Sequence, residues 1–96
     1  VTTRPSTPLA ALDEAIGAVR RLQAAGLRTS HGGSAAGQLE RLRGELAARR
    51  AEVAAGGTLD REWAGRTVRS VAQWLPDEEL PLLARLGAIA RASAEP

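Results

Sequence analysis

This chain has no lysine, cysteine, methionine, phenylalanine, tyrosine or asparagine. Without cysteine there are no disulfides and no thiolate metal sites. Without lysine, the glycine-bearing stretch at residues 32–37 (GGSAAG) cannot work as a Walker phosphate loop, and no strand precedes it. Two tryptophans are the only aromatics, so nothing matches the stacking platforms that bind single-stranded RNA. No apolar run approaches the ~20 residues of a membrane span. β-Branched residues are few and never alternate with polar ones, which excludes strands. The single histidine, His31, sits in the loop RTSHGG. Ser30 and His31 lack a third group to orient a base, so a solvated loop residue is the simpler reading. One imidazole and no thiol also leave a metal only carboxylates. The adjacent carboxylates Asp77, Glu78 and Glu79 splay apart and suit the positive end of a helix rather than acid–base work. These exclusions predict a protein that is not an enzyme and that holds no cofactor and no metal.

What the chain does have is thirteen arginines, twenty alanines and ten glycines. The sequence pI near 10.9 suggests a polyanion binder, yet the formal net charge is only +2. Arginine does not lose its proton, so a nearly neutral chain without lysine reaches zero charge only at very high pH. Arginine in place of lysine, with abundant alanine and glycine, fits a GC-rich coding bias and a bacterial source. Val1, in a chain without methionine, fits an alternative start codon as well as a trimmed terminus. Residues 1–8 are polar and do not form a signal peptide, so a cytoplasmic protein is expected. Ninety-six residues predict one small domain over 1–96. A core of leucine and alanine is low in volume, so helices must approach closely to fill it.

Four helices are predicted, at about 8–25, 35–55, 59–75 and 77–92. Thr7-Pro8 caps the first, and Leu9, Leu12, Ile16 and Val19 recur at helical spacing. Arg20 and Arg21 are expected in its last turn, and Gly26-Leu27 reads as a glycine cap. Ser34 is the expected cap of the second helix. Its seam is Ala35, Leu39, Leu42, Leu46 and Val53, with Arg49 standing where an apolar residue belongs. This narrow stripe is typical of coiled-coil contacts. Arg41–Glu45, Glu45–Arg49 and Arg49–Glu52 are spaced to pair on the wet side. Gly56-Gly57-Thr58 predicts an antiparallel hairpin of helices 2 and 3. In the third helix Trp63 and Trp74 lie three turns apart on one edge, beside Ala64, Val68, Val71 and Leu75. Leu75-Pro76 breaks that helix. Asp77 can cap the fourth, or Pro81 can mark a second start after a 3₁₀ turn. Leu82, Leu83, Leu86, Ile89 and Ala90 form its buried stripe, and residues 93–96 are expected to fray. The fold class is all-α, a small antiparallel four-helix arrangement.

Two functional surfaces follow. The first is a protein-binding or self-associating face at the Leu39/Leu42/Leu46 seam or the Trp63/Trp74 edge, framed by Arg66 and Arg69. Tryptophan and arginine are favoured anchors at interfaces, although the ordinary reading of a tryptophan pair is core. The second is an arginine face of Arg20, Arg21, Arg28, Arg43 and Arg50, which suits a small nucleic-acid-associated regulator. Acids interleave with these arginines and no recognition helix is apparent, so weak binding is expected. The preferred reading is a non-enzymatic interaction module that meets a protein partner or a second copy of itself.

Overall fold

The computed structural model describes residues 7–94, with side-chain burial through residue 92. The terminal segments 1–6 and 95–96 lie outside the described residues, and with them Val1 and the last of the expected frayed end. Four α-helices form: α1 (Pro8–Ala25), α2 (Ala36–Ala54), α3 (Arg61–Ala72) and α4 (Leu80–Ala94).

Local chemistry explains most of the boundaries. The Thr7 hydroxyl accepts the Ala10 N–H at 3.1 Å, and Pro8 opens α1 where no N–H is needed. Gly26 turns left-handed at φ 70°, and the Leu27 N–H reaches back to the Leu22 carbonyl at 3.3 Å. That is a Schellman closure, with Leu27 folded onto the core. Arg20 and Arg21 precede the last turn rather than occupying it.

Several expected boundaries shift. The α2 cap position is Ala35, while the Ser34 hydroxyl accepts the Ala36 N–H at 3.2 Å. Asp60 caps α3 in place of Thr58, its carboxylate accepting the Glu62 N–H at 2.9 Å. A carboxylate is at least as good an N-cap as a threonine hydroxyl, so the later start is favoured. At its other end α3 stops at Ala72. The N–H groups of Gln73 and Trp74 bond the carbonyls of Ser70 and Val71 three residues back, a tightening ahead of Pro76. A 3₁₀ turn, Asp77–Glu79, then precedes α4. α4 continues to Ala94, past the fraying expected from Ser93.

The helices are arranged in the cyclic order α2–α1–α4–α3. α1 packs directly on both α2 and α4, and α4 packs on α3. Ala11, Ala15 and Ala18 are buried on α1 beside Leu12 and Val19, so a wide arc of small side chains admits two close neighbours. Leu39, Leu46, Leu86 and Ile89 complete the dry centre. The all-α bundle is therefore as the sequence predicts, with one change in its packing. The predicted hairpin partners α2 and α3 run antiparallel, but no pair of their Cα atoms comes within 8 Å. The fourth side of the bundle stays open.

Neighbouring carboxylates on α1 clip this arrangement. Asp13 pairs with Arg50 of α2, and Glu14 pairs with Arg85 of α4, the latter at 2.7 Å. All four side chains are 39–50% exposed, so solvent screens both pairs. Asp13→Asn and Glu14→Gln should each lower stability by only about 0.2–1 kcal/mol. Urea unfolding checks this, and the loss should shrink in 1 M salt, where the screening length falls to about 3 Å.

A candidate binding groove between α2 and α3

The open side of the bundle is a groove of 550 Å³ lined entirely by α2, α3 and Trp74 just beyond α3. Its apolar floor is Leu42, Trp63, Val71 and Trp74, and Arg41, Glu45, Arg66 and Ser70 stand around it.

Each end of the groove is pinned. At the start of α3, the Trp63 indole N–H donates to Glu45 Oε1 at 3.0 Å. The guanidinium of Arg49 lies 5.2 Å from the Trp63 ring centroid, within cation–π range. Arg49 also donates to Glu52 at 2.9 Å. Its Nε is covered and has no hydrogen-bond partner. This explains the charged residue in the α2 seam: the position faces an aromatic ring rather than an aliphatic neighbour. It also redirects Glu45, expected to pair with Arg41 and Arg49, onto the indole. At the other end, the Ser30 N–H donates to the Trp74 carbonyl at 2.8 Å, stitching the loop before α2 to the end of α3. That loop is held internally by Thr29 N–H to Gly33 O at 2.7 Å and by Arg28 to Gly32 O at 2.8 Å. Two clasps thus fix the spacing of α2 and α3 without closing the gap.

The residues expected at a partner surface divide sharply. Leu39, Leu42 and Leu46 are 1%, 4% and 0% exposed. Leu39 and Leu46 belong to the chain's own core, so the seam is not a free surface; only Leu42 reaches the groove floor. Trp63 is buried at 4% exposure, while Trp74 is half-buried and open to the groove. Both line the groove, at different depths, although α3 itself ends at Ala72. Of the framing arginines, Arg66 reaches the groove and Arg69 is not part of its lining. Arg41 and Gln38 were missed as lining residues; the only signal for them was the misplaced Arg49, which betrays an aromatic neighbour across from α2.

The arginine face is largely occupied. Arg43 pairs with Glu40, Arg50 with Asp13, and Arg28 with a loop carbonyl. Hydrogen bonds from Arg43 and then Gln23 hold the Glu40 carboxyl below its ordinary range. A carboxyl lowered by folding stabilises above its unfolded value and loses that contribution as pH falls through the folded one, so Arg43 stays neutralised at neutral pH. Arg20 and Arg21 remain exposed. Polyanion binding should therefore appear only at low salt, and Arg43→Ala with Arg50→Ala should barely change it. Fluorescence titration with a DNA duplex across a salt series checks this, since each neutralised phosphate adds about 0.9 to the log–log slope. A tight complex at physiological salt that the double variant loses would reverse this expectation.

His31 is exposed in its loop. Among the described residues no group of three or more His, Cys, Asp and Glu side chains converges as metal ligands. No helix of the described residues is long and apolar enough to cross a membrane. Searches against family models, curated proteins and solved structures find no match to this chain.

Proposed function

We propose that the chain is a non-enzymatic interaction module whose binding surface is the α2/α3 groove. Its ligand is a protein segment that presents an apolar side chain flanked by carboxylates. The carrying observation is the half-buried Trp74 on an apolar floor, in a groove that the bundle leaves open and pins at both ends. Aromatic residues in desolvated pockets are the usual anchors of protein contacts, and arginines at the edge select carboxylates. Arg41 has no carboxylate partner among the described residues, and Arg66 reaches only Glu62, at 3.6 Å, with Glu62 86% exposed. A groove pinned before binding loses little conformational entropy when it is filled.

The nucleic-acid reading ranks second. It rests on Arg20 and Arg21, because the other arginines of that face already have partners.

A photoreactive side chain at Ser70, inside the groove, tests the proposal against one at Ala84, on the far side of the bundle. Protein adducts should form from position 70 and be suppressed by Trp74→Ala. Equal adducts from both positions, or adducts indifferent to Trp74, would sink it.

A further inference from the structure

We infer that the segment seated in this groove is the Asp77–Leu80 corner of a second copy of the chain, exchanged reciprocally in a two-fold dimer. The inference rests on the groove reading above and names its occupant.

Two unmatched surfaces carry the argument. The first is the corner itself. Leu80, at 54% exposure, is the one large apolar side chain left mostly exposed among the described residues. Asp77, Glu78 and Glu79 precede it and have no side-chain partner among the described residues. Every other described carboxylate is engaged. Asp13, Glu14, Glu40, Glu52 and Glu62 face arginines, Glu45 takes the Trp63 indole N–H, and Asp60 caps α3. The helix dipole at the start of α4 accounts for the sign of the three carboxylates but not for a bare leucine beside them. The second surface is the groove, with an apolar floor and the under-used cations Arg41 and Arg66. An apolar knob beside unpaired acids and an apolar hollow beside unpaired cations are complementary in shape class and in charge.

Chain connectivity sets the symmetry. Trp74 on the floor and Leu80 on the knob are six residues apart across the Pro76 bend. Hollow and knob therefore lie within about 20 Å of each other on each copy. A two-fold axis beside them lets the corner of each copy enter the groove of the other, so that the contact closes on itself. A knob on the opposite side of the bundle would instead propagate a filament.

Sedimentation equilibrium on the full chain tests this, with circular dichroism confirming that each variant is folded. The wild type should be a reversible dimer. Leu80→Ser should weaken it by about a thousandfold, because the two-fold dimer loses two anchors of about 2 kcal/mol each. A groove variant (Arg41→Glu with Arg66→Glu) and a corner variant (Glu78→Arg with Glu79→Arg) should each be monomeric. Mixed in equal amounts they should regain the dimer mass, because each then offers the charge the other lacks. A monomeric wild type, a dimer indifferent to Leu80→Ser, a ladder of larger assemblies, or a mixture that stays monomeric would each overturn the inference. If Trp74-dependent adducts to another protein then persist from position 70, the groove reading survives without the second copy. If they are absent too, both fall.

Discussion

Trp63→Ala should lower folding stability by about 3–5 kcal/mol, the loss expected for deleting a large buried aromatic. Three contributions disappear together. The indole is 4% exposed, so its removal leaves a void that a backbone pinned by the Trp74–Ser30 clasp cannot readily collapse. The hydrogen bond to Glu45 goes, which returns an exposed carboxylate to water at little penalty. The ring under Arg49 also goes, leaving a guanidinium whose Nε is already covered and unpartnered. The first contribution is the largest, because the other two involve groups that solvent can partly satisfy. Trp63→Phe separates them: it keeps most of the volume and removes the N–H donor, and should cost about 1–2 kcal/mol. Trp74→Ala should stay within about 1–2 kcal/mol, since a half-buried side chain forfeits less transfer free energy. In a domain of this size each kcal/mol is about 4–8 °C of Tm, so thermal unfolding of the three variants resolves the order. Equal losses at positions 63 and 74 would mean that Trp74 is core and the groove is not a free surface.

Leu46→Ala should cost a similar amount, about 3–5 kcal/mol. Leu46 is 0% exposed and shares the core with Ala11, Ala15 and Ala18 of α1. Alanines have no flexible side chain to swing into a void, so the cavity persists and the loss falls toward the upper part of the usual range. Leu80→Ala, measured at protein concentrations where the chain is monomeric, is the control: the residue is 54% exposed, and its removal there should change stability by less than about 0.5 kcal/mol. Urea denaturation measures both, with the midpoint falling at unchanged slope if only the native core has been weakened. A Leu46→Ala variant as stable as the Leu80→Ala variant would contradict the assignment of the α2 seam to the core of its own chain.

The seam shows where reading the chain as a string has its limit. Spacing identifies Leu39, Leu42 and Leu46 as one apolar stripe, and they do lie on one buried face. A stripe records that water is excluded, not by whom. Whether α1 of the same chain or a helix of another covers it depends on which neighbour arrives, and α1 is connected through a loop of only ten residues, 26–35. The tryptophans show a second limit. A helical projection places them on one edge but says nothing of what covers each. Both do line the groove, yet the projection carries no depth: Trp63 is buried against α2, while Trp74 is half-buried.

The sequence by itself determined the helices, the glycine cap at Gly26, the hydroxyl cap at Thr7 and the break at Pro76. These are local events within a few residues, governed by backbone geometry and by the nearest donors and acceptors. It determined the burial of the leucine stripes for the same reason, since periodicity is a property of one helix. Only the tertiary structure decided the order α2–α1–α4–α3, the open fourth side, and the use of Arg49 and Glu45 to hold Trp63. Those outcomes depend on volumes and charges meeting across helices far apart in the chain. An alanine-rich α1 can serve two neighbours at once, whereas a tryptophan placed between α2 and α3 holds them apart and leaves the groove between them.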